Sequence, residues 1–181
     1  MFKNNKSIPA DLRSVVYAGM AQSGNSRHHQ DFTKWYVKEL LSEEQNRIGR
    51  ALGYFKDASL LKKTLEFALS KNVRIQDTAQ IFAGVWINPA GAQVAWEFTK
   101  KNWAELLHKY PSSGHILNRF IKPASVFSSA KQAKDFTQFF KTHKAPGGER
   151  AIAQVLEKVY SNAEWVKRDS EKIGHWLKKN D

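Results

Sequence analysis

Apolar residues recur at spacings of three and four along most of the chain, which is the period of an amphipathic α-helix. The clearest stripe, between residues 151 and 166, contains Ile152, Val155, Leu156, Val159, Tyr160, Ala163 and Val166. Similar stripes run through 133–140 and 61–69. The alternation of apolar and polar residues that indicates a strand is missing outside the short run 73–76. The pattern therefore predicts an all-α fold.

Four clusters of turn-forming residues divide this helical pattern, at 22–26, 88–91, 111–114 and 145–148. Together with the apolar stripes they predict helices near 11–21, 29–41, 43–54, 57–70, 76–87, 91–109, 115–127, 129–142 and 148–178. The last predicted helix is long, and we expect it to bend or break near Ser161 and Asn162.

Short connections make successive helices antiparallel neighbours. We therefore expect a single domain over residues 1–181, in which antiparallel helix pairs stack into a HEAT- or armadillo-like α-solenoid or bowl. Sequence identity between the layers is too low to assign a repeat period. An array that ends abruptly exposes apolar surface, so we also expect self-association through that end, or an N-terminal helix that covers it.

Composition narrows the classes of partner. The chain has no cysteine, which excludes disulfides and thiolate chemistry. A formal net charge of +12 favours anionic partners, but the basic residues are scattered among acidic ones, which is typical of a solvated surface. No apolar run reaches the roughly 20 residues of a membrane helix, and the N-terminal sequence lacks the apolar stretch of a signal peptide. We expect a soluble protein with no membrane partner, and the cytoplasm is the favoured location.

Motifs for catalysis are missing from the sequence. It contains no His-Glu-x-x-His, no Walker loop and no Gly-x-Ser-x-Gly elbow. His28 and Asp31 would share a helix face, but no third ligand stands near them, so an exposed polar helix start is favoured over a metal site. Glu43 and Glu44 follow Ser42 at a predicted helix start, where carboxylates complement the helix dipole. We expect this chain alone to be neither an enzyme nor a metal-binding protein.

The six tryptophans could form a stacking platform for a single-stranded nucleic acid. Trp96 and Trp103, however, lie seven residues apart in one predicted helix, and Trp165 and Trp176 fall on the apolar stripe of the last one. Core packing is therefore the favoured interpretation of all four side chains.

The chain also carries an ordered series of short motifs. They are Leu12-Arg13 with Val16-Tyr17, Ala51-Leu52-Gly53, Val73-Arg74-x-Gln76-Asp77, Asn88-Pro89-x-Gly91, Ala95-Trp96-x-Phe98, Lys101-Asn102-Trp103 and Trp176-Leu177. The series, which covers nearly the whole chain, resembles the C-terminal helical domain of the zinc aminopeptidases that include the puromycin-sensitive and endoplasmic-reticulum peptide-trimming enzymes.

This resemblance implies a function for the chain. It corresponds to the later half of that C-terminal domain, a HEAT-like bowl that closes over the catalytic cleft and shapes the peptide chamber. The zinc and its His-Glu-x-x-His helix belong to a catalytic domain that is absent here, so the chain needs no cofactor of its own. The implied partners are peptide substrates and the catalytic domain of the same or a companion chain. The parent enzyme would remove N-terminal residues from peptides.

The alternative is a basic helical-repeat module that binds nucleic acid or an acidic protein, with nucleic acid the less favoured partner.

Two sets of candidate residues follow. In a structural clasp, Asp77 caps a helix that begins near Thr78, Arg74 and Gln76 bind the backbone of a neighbouring layer, and Trp96, Asn102 and Trp103 pack across the anchored turn. A peptide-facing set consists of Arg47, Arg50 and Tyr54, spaced by three and four residues on one helix. An arginine in this set would bind the C-terminal carboxylate of a peptide in a bidentate manner.

Overall fold

The computed structural model describes residues 8–110 and 114–180. These residues form helices and no strands, which confirms the all-α prediction. The N-terminal sequence 1–7 and the predicted turn at 111–114, apart from Gly114, lie outside the described residues. The chain divides into two compact units, Met1–Thr99 and Lys100–Asp181. The single domain and the solenoid or bowl arrangement stay predictions.

Within its described residues, from 8 onward, the first unit contains five complete helices and the beginning of a sixth. They are α1 (Ala10–Gln22), α2 (Ser26–Lys38), α3 (Ser42–Ala51), α4 (Ala58–Leu69), α5 (Ile75–Trp86) and α6 (Ala92–Lys101). A 3-10 segment, Leu52–Tyr54, continues the chain from the end of α3. The core of the first unit is aromatic, since it contains four fully buried rings, those of Phe32, Tyr36, Phe55 and Phe82.

Four complete helices lie in the part of the second unit that the structure describes. They are α7 (Trp103–Lys109), α8 (Gly114–Ile121), α9 (Ala130–Thr142) and α10 (Glu149–Lys179), and a 3-10 segment, Lys122–Val126, follows α8. Trp103 is buried against the edges of Phe139 and Phe140, and its indole N–H donates a 3.1 Å hydrogen bond to the carbonyl oxygen of Lys144. This bond satisfies the one polar group of the buried indole.

Two tryptophans of α10 lie outside the core. Trp165 is 52% exposed and Trp176 63%, which contradicts the expectation that both belong to it. No residue of α10 after Val159 is buried, although the helix continues to Lys179. The apolar period identified a face of this helix, but it could not show how far the surface that covers the face extends.

Two boundaries differ from the prediction. The segment expected to be one helix over 91–109 divides at Asn102, whose φ of −107° and ψ of 16° are not helical. Short polar side chains such as that of asparagine favour turns over helix interiors. By contrast, α10 is continuous through Ser161 and Asn162, where a bend or break was expected. The Asn162 side chain binds carbonyl groups outside its own helix, so it does not compete for the hydrogen bonds of that helix.

One arrangement occurs in both units. In the first, the Asn88 side chain donates to the carbonyls of Gly53 and Phe55, at 2.8 Å each. In the second, the Asn162 side chain donates to the carbonyls of Ser125 and Phe127, at 2.9 Å each. We call each an asparagine clamp, because one carboxamide fixes a 3-10 segment and the buried phenylalanine after it.

The residues around the two clamps also correspond. A helix N-cap follows each buried phenylalanine by two residues: Asp57 accepts from the Ser59 N–H, and Ser129 accepts from the Gln132 N–H. The order of 3-10 segment, buried phenylalanine, capped helix and clamp asparagine is therefore the same in both units, although Asn88 lies in the turn after α5 and Asn162 lies within α10. The sequence alone did not assign this repeat, because few other residues match.

Candidate functional site

A cavity of about 390 Å³ lies beside the asparagine clamp of the first unit. Its wall is formed by the chain after α3 and the chain after α5, and the lining residues are Gln22, Gly53, Tyr54, Lys56, Gly84, Ile87, Asn88, Pro89 and Ala90. This volume falls within the range of small-ligand sites, about 300–1,000 Å³.

Close backbone packing forms one wall of the cavity. A Cβ atom on Gly53 would lie 2.6 Å from the carbonyl carbon of Gly84, so no larger residue fits there without movement of α5. A Cβ on Gly91 would lie 2.1 Å from the carbonyl oxygen of Val85, which explains the glycine that closes the turn after α5. Within that turn, Asn88 Oδ1 accepts from the Ala90 N–H at 2.9 Å. These contacts fix both segments that line the cavity.

The lining is largely apolar and carries one charged side chain. Ile87, Pro89 and Ala90 supply aliphatic surface, and Tyr54, which is 42% exposed, supplies an aromatic ring. The exposed Lys56 is the one side chain of this lining with a formal charge. The cavity therefore suits a group that combines an apolar part with a negative charge.

The structure separates the three residues of the predicted peptide-facing set. Tyr54 lines the cavity because the 3-10 segment turns it away from the face of α3. Arg50 is exposed on α3 and does not line the cavity. Arg47 donates from Nη1 to Glu44 Oε2 at 2.8 Å and from Nη2 to Glu43 Oε1, so its guanidinium group is held by carboxylates of its own helix.

Glu44 is the centre of a buried ion cluster that the sequence did not predict. Besides Arg47, it accepts from the Tyr17 hydroxyl at 2.5 Å and from Arg13 Nη1 at 3.3 Å. Burial acts to raise the pKa of Glu44, but the hydrogen bonds from Tyr17, Arg47 and Arg13 outweigh it and hold the pKa below its usual value. Burial and the same hydrogen bond raise the pKa of Tyr17. The cluster joins α1 to α3.

The clasp residues of the first unit are arranged differently from the prediction. Asp77 lies in the first turn of α5, which begins at Ile75, so it is not the cap of a helix near Thr78. Its carboxylate oxygen Oδ2 accepts instead from the Tyr36 hydroxyl at 2.7 Å and from Arg74 Nε at 2.6 Å. Burial and the hydrogen bond to Asp77 raise the pKa of Tyr36 to about 12. Arg74 also donates to the Ser42 hydroxyl, and so α2, α3 and α5 are tied together.

The other clasp residues have separate positions in the fold. Gln76 is exposed. Trp96 is buried in the first unit, with its ring centroid 6.4 Å from that of Trp86. Asn102 and Trp103 belong to the second unit, where Trp103 binds Lys144 as described above.

His29 is a buried titratable group in the core of the first unit. Its ring packs edge-on against Phe55 at 5.2 Å, and Nε2 lies 2.9 Å from the Thr64 hydroxyl oxygen. The Thr64 hydroxyl has the carbonyls of Leu60 and Leu52 as acceptors, so the imidazole is the donor in this pair. Burial, with a smaller contribution from the nearby Lys63 charge, lowers the pKa of His29 to about 4.

Neither histidines nor carboxylates gather into a metal site. His28, the candidate ligand in the sequence, forms a capping box at the start of α2, in which Asn25 Oδ1 accepts from the His28 N–H. In the part of the chain that the structure describes, no group of three or more His, Asp or Glu side chains is placed to hold one ion. The zinc that the resemblance implies belongs to the absent catalytic domain, and the described residues of this chain supply no ligand set for it. No helix of the described residues is long and apolar enough to cross a bilayer.

Comparison with known proteins decides the family. Residues 1–161 match the family model described as the ERAP1-like C-terminal domain. The chain belongs to the ERAP1-like C-terminal domain family. The resemblance read from the sequence motifs is thereby confirmed.

The relatives of the ERAP1-like domain are much longer aminopeptidases. The chain is 29% identical over 178 residues to "Aminopeptidase 2, mitochondrial" of Saccharomyces cerevisiae, which covers 98% of this chain and 19% of the relative. It is 32% identical to glutamyl aminopeptidase of Rattus norvegicus and to aminopeptidase M1 of Arabidopsis thaliana, covering 97% and 91% of this chain and 19% of each relative. The chain thus spans about one fifth of the length of these relatives.

Sequence reasoning missed Lys56 and Asn88 as residues of the cavity. A signal for Asn88 was present, because Asn88 directly follows the last apolar position of a helix and opens the turn motif Asn88-Pro89-x-Gly91. Nothing in the sequence marks Lys56 among the 29 basic residues. Its position follows from the turn between the 3-10 segment and α4.

Proposed function

We propose that this ERAP1-like domain is a non-catalytic part of a parent zinc aminopeptidase, where it covers the active-site cleft and contacts the peptide substrate. Its relatives are aminopeptidases of which it matches about one fifth, and this supports a role beside a separate catalytic domain. The parent would hydrolyse N-terminal residues of peptides with zinc bound in that other domain. The catalytic domain is therefore the first partner of the chain.

The cavity supports a specific form of peptide contact. An apolar side chain at the C-terminus of a peptide would lie against Ile87, Pro89 and Ala90, while its free carboxylate would bind the Lys56 ammonium group. Tyr54 would contribute its ring, and the exposed Arg50 would attract the carboxylate from a greater distance. Arg47 contributes least in this arrangement, because two carboxylates already hold its guanidinium group.

Peptide binding by the purified chain tests the proposal. We expect a fluorescent nonapeptide that ends in leucine to bind, and the same peptide with a C-terminal amide to bind about two- to fivefold more weakly, the range for an exposed ion pair. Lys56→Ala should remove the difference between acid and amide. Lys71→Ala, which changes an exposed lysine outside the cavity, is the matched control and should preserve the difference.

Equal binding of the acid and the amide would contradict the carboxylate contact with Lys56. The absence of any peptide binding would contradict the assignment of the cavity as a peptide site. The alternative function, a basic module for nucleic acid or an acidic protein, is not favoured, because the relatives are aminopeptidases.

A further inference from the structure

A second depression in the surface of the first unit lies between α2 and the end of α4. It has a volume of about 300 Å³, and its lining residues are Thr33, Lys34, Val37, Lys38, Phe67 and Asn72. None of these six residues lines the cavity beside the asparagine clamp. We call this depression the α2–α4 groove. Its volume lies at the lower end of the range of small-ligand sites, so it suits a group about as large as one side chain.

The floor of the groove is apolar and is fixed by the core. The Phe67 ring stands at 89° to the ring of the buried Tyr36, and the two centroids are 5.5 Å apart. The Tyr36 hydroxyl donates to Asp77 at 2.7 Å, so Phe67 packs on a side chain that a hydrogen bond holds in place. Val37, which is 50% exposed, adds aliphatic surface. An aromatic ring suits this floor, because it can lie offset or edge-on to the Phe67 ring.

Two lysines without carboxylate partners border the floor. Lys34 and Lys38 are four residues apart, so they lie on the same face of α2. Lysine packs its aliphatic stem on apolar surface and keeps its head group in water, which places both ammonium groups at the rim of the groove. Among the described residues, no carboxylate forms an ion pair with either lysine. The adjacent Glu39 carboxylate accepts instead from the N–H groups of Leu40 and Leu41.

The remaining two lining residues supply polar contacts. The Asn72 carboxamide forms no hydrogen bond to another described residue, so its N–H groups can donate to an anionic oxygen. The Thr33 hydroxyl donates to the carbonyl oxygen of Gln30 at 2.9 Å, and its lone pairs can still accept from an O–H or N–H group. The groove thus combines an apolar floor with several donors at its rim.

We propose that the α2–α4 groove binds a phosphate monoester carried on an aromatic ring. Such a phosphate has a charge of about −1.5 to −2 at pH 7, which matches two ammonium groups, whereas a carboxylate would neutralise only one of them. The ring packs on Phe67 and Val37, and the phosphate oxygens accept from Lys34, Lys38 and Asn72. This site is separate from the cavity assigned to the peptide carboxylate, so failure of either assignment leaves the other intact.

Amide chemical shifts of the intact, isotope-labelled chain, titrated with phenyl phosphate at pH 7.5, test the proposal. We expect saturable shifts at residues 33–38, 67 and 72, with a Kd on the order of 1 mM for so small a ligand. Phenyl sulfate, which has the same shape and one negative charge, should bind about two- to fivefold more weakly. Phenyl phosphate should lose this advantage at pH 5, because its second pKa is about 6.

Variants test each contact. Lys34→Ala and Lys38→Ala should each weaken phenyl phosphate binding about two- to fivefold, the range for an exposed ion pair. Lys131→Ala, at an exposed position of α9, is the matched control and should bind as the wild-type chain does. Phe67→Leu should weaken binding of phenyl phosphate but not of methyl phosphate, which has no ring. Circular dichroism would verify that Phe67→Leu keeps its fold, because Phe67 contacts the buried Tyr36.

Three results would overturn the proposal. They are unchanged binding of phenyl phosphate in the double variant Lys34→Ala, Lys38→Ala, equal binding of methyl and phenyl phosphate by the wild-type chain, and shifts spread over the lysines of both units. A tripeptide with a central phosphotyrosine distinguishes two sources of the same group. Tighter binding of the tripeptide than of phenyl phosphate would assign the groove to phosphorylated proteins, and weaker binding would assign it to a small aryl phosphate.

Discussion

At the scale of single residues, the buried polar groups of the first unit are the most informative. Glu44, Asp77 and His29 each have hydrogen-bond partners on a different helix. Buried polar groups are costly when one partner is removed, so each predicts a measurable change in stability. None of the three points into the cavity, so these side chains act on function through the position of the helices.

Removal of the Asp77 carboxylate should destabilise the chain. Asp77→Ala leaves the Tyr36 hydroxyl buried without its acceptor and removes the ion pair with the partly exposed Arg74, and we expect a loss of about 2 kcal/mol in the free energy of unfolding. Urea denaturation would measure it. Asp57→Ala, which removes an exposed N-cap on α4, is the control and should cost less stability than Asp77→Ala. An unchanged midpoint for Asp77→Ala would exclude a role for Asp77 as a structural clasp.

The low pKa of His29 makes stability depend on pH. The unfolded chain takes up a proton on this residue near pH 6.5, whereas the folded chain keeps the imidazole neutral down to about pH 4. Between these two pH values the unfolded state binds more protons than the folded state. The contribution of neutral His29 to the free energy of unfolding is therefore fully present above pH 6.5 and is lost as the pH falls towards 4, by up to about 3 kcal/mol.

The slope of this pH dependence can be assigned to His29. In His29→Gln, urea denaturation at pH 7, 6, 5 and 4.5 should show a shallower loss of stability than in the wild-type chain. His175→Gln, at an exposed position of α10, should keep the wild-type slope. Parallel curves for the wild-type chain and His29→Gln would mean that another group titrates.

At the scale of helices, the two asparagine clamps carry equivalent hydrogen bonds. Asn88→Ala and Asn162→Ala should each cost about 1–3 kcal/mol, because two carbonyl groups lose their donor. Hydrogen exchange would localise the effect: protection should fall around 52–56 in Asn88→Ala and around 122–128 in Asn162→Ala. Asn180→Ala, at the exposed end of α10, is the control. Equal loss of protection throughout the chain in both variants would contradict a local role.

Helix positions could be predicted from the sequence because apolar period and turn residues act locally. The ends of α4, α5 and α9 agree with the prediction to within one residue. Asn102 and the region around Asn162 could not be predicted, because the same residue type ends one helix and leaves another continuous. At Asn162, tertiary packing brings two carbonyl groups outside the helix within reach of the side chain, and the local sequence does not show this.

At the scale of the whole molecule, the net charge of +12 has a consequence separate from the proposed function. We expect weak binding to mixed-sequence DNA at about 50 mM NaCl that disappears near 200 mM, because scattered lysines and arginines act only by counterion release. Fluorescence anisotropy across this range would measure it. Binding that persists above 300 mM would support the nucleic-acid alternative instead.

Less of the candidate site than of the fold could be predicted. Of the peptide-facing set, Tyr54 lines the cavity, but Arg47 is held by Glu43 and Glu44, because spacing on a helix cannot reveal which neighbour takes a side chain. The position of Lys56 in the cavity lining could not be predicted either, because it depends on the path of the turn between the 3-10 segment and α4. The family could be recognised because its motifs are spread along the whole chain, and errors at single positions do not change their order.

The asparagine clamps also bear on how such a chain could be redesigned. The two units share a buried phenylalanine, an N-cap and an asparagine that binds two carbonyl groups, and little of the sequence between them. A designed segment that is meant to fold as a third such unit would need to keep those three features together with a buried apolar face on each helix. Its exposed side chains could vary as widely as they already do between residues 52–88 and 122–162.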